Sequence, residues 1–184
     1  MIDLVERHRV AGNGFARVAG LVPADQWDRP TPCTEWDARM LVEHVIGFHE
    51  FLLLRPMGVR AHRPKSGPAE RWAATSLALF TALDTEGALD RATELPGGGE
   101  STPRTMLDAL TTDVLVHTWD LARAVGIDPE LDRQLCARAY EARRAADLAA
   151  SSDMYAPPVT VDPGSDTETL LIALWGRDPA WVAP

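Results

Sequence analysis

The sequence predicts an all-α fold, an up-and-down four-helix bundle with one additional helix and a short C-terminal tail. Three observations support this prediction. Apolar residues recur every three or four positions, loops rich in proline and glycine separate the periodic segments, and the alternation typical of β-strands is missing. Because we find neither an internal repeat nor a break in composition, we expect a single domain over residues 1–184.

The first helix is predicted from an apolar stripe that follows Asp3, a residue suited to cap its N-terminus. Pro23 ends this helix, and a loop with several prolines follows. The stripe consists of Leu4, His8, Ala11, Phe15, Val18 and Leu21 or Val22.

The second helix is predicted to start at the segment Thr34–Asp37, which resembles a capping box. We expect a helix of about 20 residues, because Arg55-Pro56 and Gly58 form the next stop signal. The third helix enters through Lys65–Pro68 and ends near Gly87.

The later helices are predicted from their N-terminal signals. The segment Glu94–Glu100 is too flexible for a helix, and Thr102-Pro103 then opens a fourth helix that runs to Gly126. Asp128-Pro129 repeats this signal and opens a fifth helix, expected to pass through Leu135, Ala139, Ala142 and Ala149. The tail starts at Ser151 and holds one brief helix between Asp166 and Trp175.

Composition and charge restrict the class of protein. The 184 residues are 46% apolar and carry a formal net charge of −9, with 18 basic and 27 acidic side chains, which fits a globular domain with a sizeable core. This balance and the lack of a basic stripe argue against a nucleic-acid partner. Every stretch without charged residues is far shorter than the roughly 20 apolar residues of a membrane span, so we expect no membrane association.

The N-terminus and the cysteines indicate the compartment. The first residues lack the basic start and apolar run of a signal peptide, so we expect a cytoplasmic protein. Cys33 and Cys136 are then expected to be free thiols. Cys33 precedes a predicted helix start, where the helix dipole would lower its pKa. We therefore consider a catalytic thiol there and prefer a buried structural cysteine.

Two histidines lie within strongly helical segments, where an ordinary core would favour leucine. His44 lies in the second helix, and His117 follows Asp113 by four residues in the fourth, so these two side chains share one helix face. In one interpretation Asp113 accepts a hydrogen bond from His117, and His44 is a hydrogen-bonded core residue. In the other, the three residues bind a divalent metal ion and leave coordination positions open for water or substrate.

A resemblance to a known family spans most of the chain, over roughly residues 1 to 184. It is carried by the segments Trp27–Asp37, Leu41–Val45, Thr112–Ala124, Pro157–Val161 and Leu171–Pro179. These segments resemble the metal-binding, N-terminal-type domain of mycothiol-dependent maleylpyruvate isomerases, in particular a compact subgroup of that family. The family belongs to the DinB-like superfamily of four-helix bundles, so the resemblance implies a DinB-like fold.

The resemblance also implies a ligand set and a cofactor. It places the metal ligands at His44, Asp113 and His117, with zinc as the expected ion and nickel or another divalent ion as alternatives. Asp113 departs from the isomerase, which has glutamate there, and shortens the ligand by one methylene. A small thiol such as mycothiol is expected at the open position. The isomerase has a further C-terminal domain that we do not expect here.

Three further residues are candidates for the surroundings of this site. Asp120 either orients the His117 imidazole or caps a neighbouring loop. Arg55 and Arg123 either bind an anionic group of the substrate or thiol, or are solvated. The remaining histidines are expected at the surface or in packing: His8, His49 and His62.

Three functions follow from these residues and the resemblance. The preferred one is a thiol-dependent transferase or isomerase, whose partners are a small-molecule thiol and a small electrophilic substrate. The second is a metal-dependent hydrolase, for which Glu43 or Glu50 would be the general base. The third is a non-catalytic metal-binding bundle. We also consider that the protein forms a homodimer.

Overall fold

The computed structural model describes residues 3–94, 98–145 and 156–184, and it confirms the predicted helical bundle. The α-helices are α1 (Leu4–Leu21), α2 (Ala38–His49), α3 (Pro68–Leu83), α4 (Pro103–Val125), α5 (Arg133–Ala145) and α6 (Thr167–Leu174). A π-helical turn, Glu50–Leu54, continues α2, and a 3-10 turn, Ala88–Asp90, follows α3. Helices α1 to α4 pack together, and α5 and α6 pack against each other beside α4.

A short hairpin between α3 and α4 was not predicted. Its strands, β1 (Thr93–Glu94) and β2 (Glu100–Ser101), pair in antiparallel register. Two-residue strands are too short to give an alternating pattern, so the sequence held no signal for them.

The core of the bundle is organised around large apolar side chains of α1, α2 and α3. Phe15, Leu41 and Trp72 are fully buried, and the Trp72 ring meets Phe15 edge-on with centroids 5.2 Å apart. The Trp72 indole N–H donates to the Gly12 carbonyl at 3.1 Å, so the polar atom of the largest buried side chain is satisfied. Among the described helices, none is long and apolar enough to cross a membrane.

Several helix termini confirm the predictions. The Asp3 carboxylate accepts from the Glu6 amide at 2.8 Å, and the Thr102 hydroxyl caps α4. Gly126 ends α4 in the left-handed conformation, with φ of 71°, which glycine adopts without steric cost. The Asp166 carboxylate caps α6, close to the predicted start of the tail helix. These caps are local interactions, so a single sequence suffices to predict them.

The predicted start of the second helix is wrong by about one turn. Thr34 does not cap α2; the Asp37 carboxylate does, accepting from the Met40 amide at 2.7 Å. Glu35 has a φ of 74°, so the chain reverses over this segment and cannot continue as a helix. The helix ends as predicted before Pro56, through a π-helical turn in which the Arg55 amide donates to the Glu50 carbonyl at 2.9 Å.

The predicted boundaries of the third and fifth helices also need correction. Helix α3 ends at Leu83, before Gly87, which is left-handed and opens the 3-10 turn. The Asp128 carboxylate accepts from the Glu130 amide at 2.9 Å in a loop, so it does not start α5. The Asp132 carboxylate caps α5 instead, through the Gln134 and Leu135 amides. The predicted passage through Ala149 and the predicted tail start at Ser151 lie outside the described residues.

A buried pair of histidines joins α1, α2 and α4. His8 and His49 are 1% and 0% exposed, and their Nε2 atoms lie 3.1 Å apart. The His49 Nδ1–H donates to the Val45 carbonyl at 2.6 Å, and His8 Nδ1 lies 3.0 Å from the Thr111 hydroxyl. Of the two locations considered for these histidines, packing is therefore correct, whereas His62 is exposed at the surface.

Burial of this pair predicts a fall in stability at acidic pH. Burial lowers the pKa of His8 and of His49, and for His8 the neighbouring imidazole lowers it further. The unfolded chain takes up protons on both histidines near pH 6.5, whereas the folded chain takes them up at a lower pH. From pH 7 to pH 5 we expect the free energy of unfolding to fall, by up to about 1.4 kcal/mol per pH unit and histidine.

Urea denaturation across this pH range tests the prediction. His8→Leu/His49→Leu removes both partners together and should flatten the fall, whereas the exposed control His62→Leu should keep it. An unchanged pH slope in the double variant would contradict this role of the pair.

Candidate metal centre

Helices α2 and α4 bring three potential ligand side chains together. His117 Nε2 lies 3.4 Å from Asp113 Oδ1, as their spacing on one face of α4 predicts, and His44 Nε2 from α2 lies 4.0 Å from the same oxygen. One ligand atom from each residue falls within 4.8 Å of the others. The rings of His44 and His117 meet edge-on with centroids 5.0 Å apart. The two histidine rings therefore face one point.

The donor set fits a divalent cation. Asp113 Oδ2 is buried and accepts no hydrogen bond from the described residues, so one carboxylate oxygen of the cluster lacks a partner among them. Two imidazole nitrogens and one carboxylate oxygen are the ligands of sites that keep coordination positions open. As metal ligands, the three residues stay a prediction that this geometry supports.

Asp120 holds the His117 ring and also binds an arginine. The His117 Nδ1–H donates to Asp120 Oδ2 at 3.0 Å, a contact that supports the first of its two expected roles, orientation of the imidazole. The Arg177 guanidinium donates to the same carboxylate, at 2.9 Å from Nη2 and 3.2 Å from Nε. Asp120 is 0% exposed and Arg177 8%, so this ion pair is buried.

Sequence reasoning missed Arg177 as a residue of the site. It lies 57 residues after Asp120, in the turn after α6, and no local spacing links the two. The available signal was the segment Leu171–Pro179, which carries part of the resemblance and contains Arg177.

The charges of the cluster shift its pKa values in opposite directions. Burial alone lowers the pKa of His117, but the Asp113 and Asp120 carboxylates outweigh it and raise that pKa to about 9. Burial alone raises the pKa of Asp113, but His117 and His44 outweigh it and hold that pKa well below its ordinary value. The metal-free cluster is therefore a buried imidazolium between two carboxylates at neutral pH.

A cavity of about 530 Å³ opens onto the cluster. Trp36 and Phe48 line it beside His44, with ring centroids 4.4 Å and 4.3 Å from that imidazole. The lining residues are Pro32, Cys33, Thr34, Trp36, His44, Phe48, Asp113, Val116, His117, Ala156, Trp175, Gly176 and Arg177. The cavity combines mainly apolar walls with a few polar groups, as is usual for sites of small molecules.

Cys33 lines this cavity, but its environment does not activate the thiol. Burial raises the pKa of Cys33 to about 11, although the nearby Arg177 works in the opposite direction. Helix α2 starts only at Ala38, so the thiol lies too far from the helix end for the expected dipole effect. The preferred interpretation, a structural cysteine, fits this environment. Cys136 is buried in the core, and both cysteines are free.

The other expected arginines do not line this cavity. Arg55 lines a separate cavity of about 800 Å³ together with Arg60 and Arg63. Arg123 donates to the Pro179 carbonyl at 2.6 Å and packs over the Trp119 ring.

The two glutamates considered as general bases are paired with arginines. Glu43 forms an ion pair with Arg71, and Glu50 forms one with Arg63. Neither glutamate lines the cavity that contains His44.

Comparisons with known proteins agree with the resemblance. The family model described as "Mycothiol maleylpyruvate isomerase N-terminal domain" matches residues 8–122, a range that includes His44, Asp113 and His117. Two uncharacterized proteins of Mycobacterium tuberculosis, from strains CDC 1551 / Oshkosh and ATCC 25618 / H37Rv, are 36% identical over 149 residues, 78% of this chain and 79% of theirs. The crystal structure of the mycothiol-dependent maleylpyruvate isomerase aligns with a TM-score of 0.49 and 15% identity, over 77% of this chain and 70% of that chain.

The buried ion pair predicts a large effect of Arg177→Ala. This variant leaves two carboxylates, Asp113 and Asp120, to share the single charge of the His117 imidazolium, which should lower the free energy of unfolding by about 3–5 kcal/mol. Arg177→Lys keeps the charge but loses the bidentate geometry, so its effect should be intermediate. Urea denaturation of the metal-free protein measures the free energy of unfolding of both Arg177 variants, with Arg123→Ala as the control. A loss for Arg177→Ala no larger than that of the control would contradict the importance of this pair.

Proposed function

We propose that this chain, which belongs to the mycothiol maleylpyruvate isomerase N-terminal domain family, is a metal- and thiol-dependent transferase or isomerase of a small electrophilic substrate. The observation that carries the proposal is the convergence of His44, Asp113 and His117 at one cavity, with a buried carboxylate oxygen for which the described residues offer no donor. Zinc is the proposed ion, and mycothiol is the proposed thiol. The cytoplasm is the proposed compartment, and a homodimer remains a prediction.

The three side chains would hold the ion through two imidazoles and one carboxylate. A divalent cation supplies one property at this place: it stabilises the thiolate over the thiol and so provides a nucleophile at neutral pH. Asp113 is one methylene shorter than the glutamate that the isomerase has at this position, and it lies on α4 beside His117. Asp120 and Arg177 keep the His117 ring in one orientation.

The proposed reaction forms a bond between the thiol sulfur and an electrophilic carbon of the substrate. The thiol proton leaves to solvent when the thiolate forms. In a transferase, the leaving group departs with the electron pair of its bond to that carbon. In an isomerase, the π electron pair of the attacked double bond moves onto the conjugated system, and the former double bond rotates as a single bond. The pair then returns, re-forms the double bond in the other geometry and expels the thiolate. Trp36 and Phe48 provide apolar ring surfaces beside His44 at this place.

This proposal is preferred over a hydrolase, because a hydrolase needs a general base near the attacking water. The candidates Glu43 and Glu50 are engaged with arginines, and neither lines the cavity. A non-catalytic bundle would keep the cluster without turnover, which the thiol experiment below distinguishes.

The raised pKa of His117 predicts that metal affinity increases with pH. In the metal-free protein the pKa of His117 is raised to about 9, so below that pH the ion must displace a proton from the ring. The apparent affinity should rise about tenfold per pH unit up to near pH 9 through this group alone. Calorimetry of zinc binding in two buffers of different ionisation enthalpy should show proton release at pH 7.

Ligand variants complete this test. His117→Ala and His44→Ala should lose zinc, Asp113→Glu should retain it, and the exposed control His62→Ala should bind as wild type does. Wild-type zinc content in His44→Ala/His117→Ala would contradict the assignment of these ligands.

The open coordination position predicts a spectroscopic response to thiols. With cobalt in place of zinc, mycothiol should add a sulfur-to-metal charge-transfer band in the near ultraviolet. The band should be absent from the metal-free protein and from His44→Ala/His117→Ala. A cobalt spectrum that saturating mycothiol leaves unchanged would remove the central step of the proposed reaction and favour a hydrolase or a non-catalytic bundle.

A further inference from the structure

We infer that the cavity selects an uncharged, flat apolar electrophile, such as a compound with an aromatic ring, over a small anionic substrate. This inference deepens the proposed function and rests on it, because the charges of the metal and the thiol enter the argument. It depends on two independent features of the cavity, its aromatic walls and its charge balance.

The aromatic walls stand directly beside the candidate ligands. Trp36 lies 4.4 Å from the His44 ring and 6.0 Å from the His117 ring, and Phe48 lies 4.3 Å from His44, all measured between centroids. Phe48 is 40% exposed, so a large aromatic side chain remains open at the cavity that contains the cluster. Aromatic faces gain both buried apolar area and favourable ring contacts when a flat ring packs on them.

Part of the cavity lining comes from the C-terminal part of the chain, outside the family match. Ala156, Trp175 and Gly176 line the cavity, and the match ends at residue 122. Gly176 has a φ of 77°, and a Cβ at this position would lie 2.6 Å from the Ala156 carbonyl oxygen. This close approach restricts the turn that carries Trp175, the third aromatic residue apart from histidine among those that line the cavity.

The charges that line the cavity are already compensated. Arg177 is its only arginine or lysine among the described residues, and the buried Asp120 carboxylate binds that guanidinium at 2.9 Å. The two charges of a divalent ion would be offset by Asp113 and by one thiolate. A carboxylate or phosphate of a substrate would therefore lose its hydration without meeting an unpaired cation.

The volume agrees with this substrate class. A cavity of about 530 Å³ is within the range of small-molecule sites and has room for a ring beside the sulfur of a thiol. The apolar electrophile would place its ring against Phe48 and Trp36 and its reacting carbon toward the cluster.

Binding of matched, unreactive probes tests the inference. The probes are the neutral ester methyl 3-phenylpropanoate, the corresponding carboxylate 3-phenylpropanoate, and the dicarboxylate succinate. Calorimetry is performed on the metal-free protein and on zinc-loaded protein saturated with mycothiol. We expect the neutral ester to bind at least about tenfold more tightly than its acid, because the acid must desolvate a charge, and succinate to bind more weakly still.

Phe48→Ala and Phe51→Ala provide the matched pair of variants. Phe51 is 42% exposed on the following turn but does not line the cavity. Phe48→Ala should weaken binding of the ester about three- to tenfold through the lost ring contact, whereas Phe51→Ala should leave it unchanged. Neither side chain is part of the buried core, so both variants should fold.

The outcomes separate this inference from the proposed function. Tighter binding of succinate or of the acid, or equal effects of the two phenylalanine variants, would overturn the inference even where zinc and mycothiol bind. Selective binding of the ester to the metal-free protein, weakened in Phe48→Ala and not in Phe51→Ala, would support the selectivity even where zinc binding fails and the proposed function with it.

Discussion

A buried series of opposite charges on and beside α4 holds the candidate centre together. Asp113, His117, Asp120 and Arg177 alternate in sign in the metal-free protein, and each contacts the next within 3.4 Å. None of these charges is stable alone in the interior, because removal of one partner leaves the next without compensation. The ligand geometry therefore does not depend on a few flexible side chains; it is set by the requirement that all four charges stay paired.

The rotation of α2 is fixed by a second polar interaction in the core. His49 bonds to the Val45 carbonyl and to His8, which holds one face of α2 against α1 and α4. His44 then projects from a different face of the same helix, toward Asp113 and the cavity. Apolar packing alone tolerates many rotations, whereas hydrogen bonds between buried polar groups select one. The rotation of α2 that pairs His49 with His8 is therefore also the rotation that points His44 toward Asp113.

The sequence predicted what depends on local interactions. The caps at Asp3, Thr102 and Asp166 and the shared face of Asp113 and His117 follow from spacings within one helix turn, and the structure has them. The predicted start of α2 was wrong, because the segment around the left-handed Glu35 pairs with the preceding loop instead of forming a helical turn. The Thr31 amide donates to the Trp36 carbonyl, and the Ala38 amide donates to the Arg29 carbonyl.

What the sequence alone could not reveal depends on tertiary contacts. Arg177 reaches Asp120 only because the turn after α6 packs against α4, and no spacing in the sequence encodes that contact. The pairing of His8 with His49 likewise requires α1 and α2 to be adjacent. Without such contacts, Arg55 and Arg123 were equally reasonable candidates, although they line other parts of the surface.

X-ray absorption of the zinc-loaded protein tests the central claim most directly, because it reports the atoms around the ion independently of activity. The account predicts two imidazole nitrogens and oxygen near ~2.0–2.1 Å, and one sulfur near ~2.3 Å only after mycothiol is added. A sulfur ligand before any thiol is added would indicate coordination by Cys33. That result, or a spectrum without imidazole scattering, would contradict the claim that His44, Asp113 and His117 form a metal centre open to a thiol.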